Sequence, residues 1–248
     1  MTSAPSLARQ LGAEFVGSLL LGTIVVGSGI AAQRLSPNDV GLQLAENAAA
    51  TALGLFAIIL MLGPISGAHI NPVVSFVDAA FGGLPWRTAV AYLPAQVTGC
   101  IAGAVLANVM FGDRAVSFST QQRVSGPHFL AEIVATAGLV LVIFTLARTG
   151  RTAYAPAAVG AYIGAAYFFT SSTSFANPAI TIGRMFSDTF AGIAPSSAPG
   201  YIAAQLLGGA IGFALVRLLY PDLGPADASA AILPHRATVR PDRERSLS

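Results

Sequence analysis

By length alone the 248 residues would suit one or two soluble domains. Yet 54% of them are hydrophobic, only 10% are charged and the mean hydropathy is +0.68, whereas a soluble domain carries roughly 25% charged residues. The net charge of +2, spread thinly along the chain, excludes a nucleic-acid surface, the single Cys100 excludes an intrachain disulfide framework, and His69, His128 and His235 stand too far apart for a metal-ligand cluster. What remains is an all-α integral membrane protein with the lipid bilayer as its surroundings and with no cofactor.

Six apolar stretches lie near residues 10–32, 43–62, 86–108, 128–147, 154–171 and 200–220. Each approaches the ~20 residues that cross a bilayer. The first has an apolar run longer than the ~7–15 residues of a signal-peptide core, and only Arg9 precedes it, so it reads as a retained helix. With both termini cytoplasmic, that side receives Arg9, Arg87, Arg148, Arg151, Arg217 and the tail residues Arg236, Arg240, Arg243 and Arg245. The other side receives Arg34, Arg114, Arg123 and Arg184, and the tail arginines decide the assignment. The reading is of a multi-pass protein of the plasma (inner) membrane. Residues 1–220 form one channel-sized domain, and 221–248, rich in Pro, Ala, Asp and Arg, read as a disordered cytoplasmic tail.

The chain repeats itself, over about 8–110 and 127–220. Tyr92, Gln96, Gly99 and Gly103 in the third span match Tyr201, Gln205, Gly208 and Gly212 in the sixth. Glu14 in the first matches Glu132 in the fourth, and Gly54 and Gly160 each stand seventeen residues before an Asn-Pro pair. Three spans per half is an odd number, so the second copy enters the membrane upside down. Inverted repeats place their site near the midplane, between the halves. The Gly-x3-Gly pairs would let spans three and six pack closely against neighbours.

The pairs themselves are Asn71-Pro72-Val73 and Asn177-Pro178-Ala179. Asn is a preferred helix cap, and Pro suits the first helical position because its missing N–H has no partner there. Segments 63–71 and 171–177 would be non-helical backbone at membrane depth, tolerated only where protein buries it or a wet cavity runs alongside. Each is followed by a helix too short to span. Two half-helix ends, each with roughly half a positive charge, would face one narrow column, opposing cations while the Asn amides donate hydrogen bonds. Glu14 and Glu132 lie inside apolar spans, where an ionisable group is costly. They either couple protons in a transporter or accept hydrogen bonds from the re-entrant segments. Their matched positions favour the second use, with Gln96, Gln205 and His69 as further loop braces.

Two Asn-Pro half-helices, the segments Ser66-Gly-Ala-His-Ile-Asn-Pro-Val and Phe175-Ala-Asn-Pro-Ala, the two span glutamates and the two Gln-x-x-Gly-x3-Gly segments resemble the aquaporin (major intrinsic protein) family over residues 8–220. The resemblance implies six spanning helices plus two re-entrant half-helices, one pore per subunit and a homotetramer. It also implies a selectivity filter, which counting from the Asn residues maps to Thr51, Ala165, Ser174 and Ile180. Nearly all members carry Arg where Ile180 stands. Such a charge ~8 Å from a passing cation, at an effective dielectric of ~20, opposes it by ~2 kcal/mol. Without it, and without an aromatic or His, the constriction would be wide and weakly polar. Arg184, one turn beyond Ile180, would either stand in the outer vestibule or pair with Asp188, the pairing being the favoured use. Val73 replaces an Ala of the family with a small packing adjustment. The expected function is a passive channel, not an enzyme, for small neutral solutes (glycerol-like polyols, urea, undissociated metalloid hydroxides such as arsenous acid) and water. The competing readings are a water-selective channel and a proton-coupled transporter using Glu14 or Glu132.

Overall fold

The computed structural model describes residues 5–221. The tail read at 221–248 lies, from residue 222 onward, outside the described residues. Among the described residues eight α-helices follow one another: α1 (Leu7–Leu35), α2 (Val40–Ser66), α3 (Pro72–Phe81), α4 (Trp86–Met110), α5 (Gly126–Arg148), α6 (Ala155–Phe169), α7 (Pro178–Arg184) and α8 (Ala198–Leu219). Each half of the chain therefore runs long helix, long helix, half-helix, long helix. The starts are chemically marked. Ser6, Asp39, Asn71, Ser125 and Asn177 each accept a hydrogen bond from a first-turn N–H through a side-chain oxygen.

Among the described residues, five helices (α1, α2, α4, α5 and α8) are long and apolar enough to cross a membrane. The fifth of the six predicted spans is shorter. α6 has 15 residues, about 22 Å at 1.5 Å per residue. A single 3-10 turn, Thr152–Tyr154, precedes it, and at Thr170 the backbone turns extended to begin the second re-entrant leg. The first re-entrant leg is shorter than predicted. Residues 63–66 remain helical, Pro64 included, and α2 ends only where Gly67 adopts the left-handed conformation at φ 86° and donates to Gly63 O at 2.9 Å. Pro64 therefore lies inside α2, in its last turn.

The two glycine pairs do set helix spacing. A Cβ on Gly99 would lie 2.5 Å from Phe15 O of α1, and one on Gly208 2.6 Å from Ile133 O of α5. Phe15 and Ile133 each follow their span glutamate by one residue, so the repeat extends to the contact. The matched spacing of Gly54 and Gly160 does not: Gly54 meets the Ile24 side chain, Gly160 the Ala52 carbonyl. Cys100 is pinched between Gly22 of α1 and Gly183 of α7, either of whose added Cβ would stand 2.7 Å from Cys100 O. Val73 Cγ1 occupies the notch left by Gly209 of α8, which is how the bulkier residue is accommodated. Large apolar side chains point outward on every long helix, among them Leu53, Phe56, Leu60, Leu130, Phe168, Phe169 and Leu207. Helices that are apolar all round belong in a hydrocarbon environment.

Candidate functional site: a cavity between two half-helices

At the centre the two half-helices meet end to end. Asn71 Oδ1 accepts from Val73 N at 3.0 Å, and Asn177 Oδ1 accepts from Ala179 N at 2.9 Å, the capping expected of each motif. The amide nitrogens cross over. Asn71 Nδ2 donates to Ala176 O, and Asn177 Nδ2 donates to Ile70 O, both at 2.8 Å. Each half thus supplies the acceptor for the other half's Asn.

The extended legs leading to the caps have matching conformations. Gly67, Ala68 and Ile70 have positive φ, and so do Thr173, Ser174 and Ala176 at the same distances before Asn177. A non-glycine residue there costs of order 1–3 kcal/mol and persists only when its surroundings over-determine it. The carboxylates do so. Glu14 Oε1 accepts from Ser66 Oγ (2.6 Å) and His69 N (2.9 Å), and Oε2 from Ile70 N (2.7 Å) and Gln96 Nε2 (2.8 Å). Glu132 Oε1 accepts from Ser172 Oγ (2.6 Å) and Phe175 N (2.8 Å), and Oε2 from Ala176 N (2.9 Å) and Gln205 Nε2 (2.7 Å). Both glutamates are fully buried. Gln96 also donates to Ser75 Oγ, and Gln205 to Thr181 Oγ1, the residues four beyond each Asn. Ser66, Ser172, Ser75 and Thr181 were not singled out by sequence, although their repeat-matched positions would have found them.

A narrow cavity runs past both asparagines. On α6 its wall is the stripe Ala155, Val159, Ile163 and Tyr167, and on α2 the stripe Thr51, Leu55 and Ile59. From Ala155 to Tyr167 the α6 stripe spans ~18 Å at 1.5 Å per residue, so the space is long as well as narrow. Leu21 and Val25 of α1 face it, and so do Leu139 and Ile143 of α5, at identical distances beyond Glu14 and Glu132. Val74 and Ile180, each three residues past its Asn, complete the symmetry. Greasy walls with a few convergent polar groups suit a small ligand in transit.

Of the residues counted out as a filter, Thr51, Ser174 and Ile180 line this cavity and Ala165 does not. Ala165 is exposed on the outside of α6. The count assumed a loop two residues longer than the one present, and two residues turn a helix by about 200°, onto the opposite face. Tyr167 occupies the inner position, its hydroxyl 3.1 Å from Thr51 Oγ1. The cavity wall that holds Ile180 therefore does include an aromatic, and it holds Phe175 and Arg184 too. Ser174 Oγ is buried with no hydrogen-bond partner among the described residues. His69 lines the cavity with its ring 3.1 Å from Ser75 Oγ through Nδ1 and 3.4 Å from Asp78 Oδ2 through Nε2.

Arg184 does not pair with Asp188. α7 ends at Arg184, so the four-residue helical spacing that would align the two is never built. Asp188 instead accepts from Thr120 N at 2.8 Å and from Thr120 Oγ1 at 3.0 Å. Arg184 is 2% exposed, donates from Nε to Ala191 O, and stacks its guanidinium 3.4 Å from the Phe175 ring centroid. Arg123, from the α4–α5 connection, also approaches that ring at 5.6 Å while donating to Gly192 O and Phe190 O. Burial draws the Arg123 guanidinium below its ordinary value.

Residues 1–174 match the family described as major intrinsic protein. Among curated proteins, the chain is 46% identical to the aquaglyceroporin AqpS of Rhizobium meliloti over 88% of this chain and 93% of that protein. It is 32% identical to the glycerol uptake facilitator protein of Pseudomonas aeruginosa, over 93% and 96%. Among solved structures, the aquaglyceroporin from Plasmodium falciparum superposes with a TM-score of 0.64 at 20% identity, covering 88% of this chain and 97% of that one, a likeness of fold. The chain belongs to the major intrinsic protein family, the family of aquaporins.

Proposed function

We propose that the protein is a passive membrane channel for small uncharged solutes, conducting glycerol-like polyols, urea and undissociated metalloid hydroxides such as arsenous acid, with water alongside. The observation that carries this reading is the single cavity that runs past both Asn71 and Asn177 and keeps Ser174 Oγ free beside Ile180. Apolar stripes on α2 and α6 let an alkyl face slide, and the hydroxyls of Thr51, Tyr167 and Ser174 offer hydrogen bonds to the polar face. The relatives named aquaglyceroporin and glycerol uptake facilitator support the polyol class. In this reading Thr51, Tyr167, Ser174 and Ile180 form the filter, four subunits assemble, and both termini are cytoplasmic at the plasma membrane. The proton-coupled alternative is disfavoured because each glutamate already accepts four hydrogen bonds and neither borders the cavity.

The test is stopped-flow light scattering on proteoliposomes with water, glycerol, urea and arsenous acid in parallel, and with Ile180→Arg beside the native protein. Native solute flux that falls in the variant supports the broadened filter. Fast water with no solute flux would make this a water-selective channel, and vesicles impermeable to all four would end the channel reading.

A further inference from the structure

The two half-helices are matched position by position, and at one position the match breaks in charge. Seven residues beyond Asn71 stands Asp78, and two before it stands His69; their side chains meet at 3.4 Å. Seven beyond Asn177 stands Arg184, and two before it stands Phe175; these also meet, at 3.4 Å. The repeat has kept the contact and changed its chemistry. In the first half the carboxylate faces a ring that can carry a compensating proton. In the second half the guanidinium faces a ring with no charge to return.

The nearest candidates for neutralising Arg184 are occupied elsewhere. Asp188 is turned to Thr120, and Glu132 is consumed by Ser172, Phe175, Ala176 and Gln205. The second guanidinium at the same ring, Arg123, adds positive charge. Among the described residues the Arg184 side chain makes one hydrogen bond, from Nε to Ala191 O, so its two terminal nitrogens keep their protons for whatever stands in the cavity that Arg184 lines.

We infer that Arg184 is the charge-selectivity residue of this pore: a fixed, uncompensated cation held at the cavity wall by the Phe175 ring and the Ala191 carbonyl. It excludes sodium and other cations, and the N–H groups of its two terminal nitrogens meet neutral solutes in the same cavity that Ser174 lines. Solutes with at least two acceptor oxygens on one side, such as vicinal diols and trihydroxides, meet both groups at once. This inference rests on the channel reading above and adds to it the origin of ion exclusion, which Ile180 cannot supply.

The experiment measures sodium influx and glycerol efflux in the same proteoliposomes for the native protein, Arg184→Gln, Arg184→Lys and Phe175→Leu. The expected result is a native protein tight to sodium and a rise of about thirtyfold in Arg184→Gln. That factor is the Boltzmann weight of a unit charge ~8 Å away at a dielectric of ~20. Arg184→Lys restores most of the exclusion, and Phe175→Leu, which frees the guanidinium from its seat, leaks to an intermediate degree. Glycerol passing through the native protein while Arg184→Gln stays tight to sodium would overturn this inference and leave the channel reading standing. Equal sodium leak in the Gln and Lys variants would also overturn it, since a role in packing alone is lost with either. Should Arg184→Gln fail to fold, Arg184→Lys with Phe175→Leu still decides: a sodium-tight Phe175→Leu channel that conducts glycerol counts against the assignment.

Discussion

Replacing Glu132 by glutamine changes one atom and strips a four-donor hub of its charge. The carboxylate receives Ser172 Oγ and Phe175 N on one oxygen and Ala176 N and Gln205 Nε2 on the other. Glutamine retains one acceptor oxygen and presents an NH2 group where the second stood. The Ser172 hydroxyl can rotate and the Gln205 amide can flip to accept, but a backbone N–H cannot. One of Phe175 N and Ala176 N is therefore left buried without a partner, at about 1–3 kcal/mol. The surviving bonds lose charge assistance, dropping from about 1.5–3 to about 1 kcal/mol each. With all three surviving bonds counted, the sum is roughly 3–9 kcal/mol. At the ~2–4 °C per kcal/mol expected for a chain of this size, the thermal midpoint in detergent should fall by ~10 °C or more. Hydrogen exchange at Phe175 and Ala176 should accelerate, while amides on the outer face of α6 should not change. A midpoint shift under ~2 °C together with unaltered exchange at those two amides would refute the idea that the carboxylate holds the strained leg in place.

Other outcomes follow from single contacts. Tyr167→Ala should raise the flux of solutes larger than glycerol severalfold, whereas Ala165→Leu should leave all fluxes within twofold, because Ala165 is on the outside of α6; the reverse pattern would restore the filter position read from spacing. Gly209→Ala should destabilise by about 1–3 kcal/mol through overpacking against Val73, and adding Val73→Ala should recover most of it, as a thermal-shift double-mutant cycle would show. Asn177→Ala should cost about 2 kcal/mol from the lost cap and the lost bond to Ile70 O, and a stability equal to the native protein's would mean the crossed bonds are incidental.

What the sequence made legible was whatever physics makes expensive. A glutamate in an apolar span, or Asn-Pro between greasy segments, has few affordable explanations, so Glu14, Glu132, Asn71 and Asn177 stood out and their repeated spacing exposed the inverted halves. Gly99 and Gly208, each seven residues beyond the matched Tyr92 and Tyr201, showed where helices touch because backbone contact forbids a Cβ. What stayed hidden depended on lengths no local rule fixes. On α6 the count landed on Ala165, two residues from the cavity-lining Tyr167, and a 100° helical step amplifies a small counting error into the wrong face. Arg184 was matched to Asp188 on helical spacing, but α7 stops at Arg184, and the partner that remained, Phe175, lies nine residues back across the leg. Residues 63–66 were read as part of the non-helical segment, yet α2 continues through them and stops only at Gly67.

The crossed asparagine bonds also impose an order on assembly. Asn71 and its acceptor Ala176 are 105 residues apart, which at ~5–20 residues per second puts ~5–20 s of synthesis between them. During that interval the first leg already has Glu14, Ser66 and Gln96, all of the first half, to hold its backbone, but the Asn71 amide has nowhere to donate. The second half arrives with the mirror-image deficit, resolved by Ile70 O. Neither half can finish its own motif, and the lock closes for both in one event. The conduit is consequently the last part of the molecule to come into being, and a nascent chain arrested between the halves sits in the bilayer as a helical bundle without a conduit.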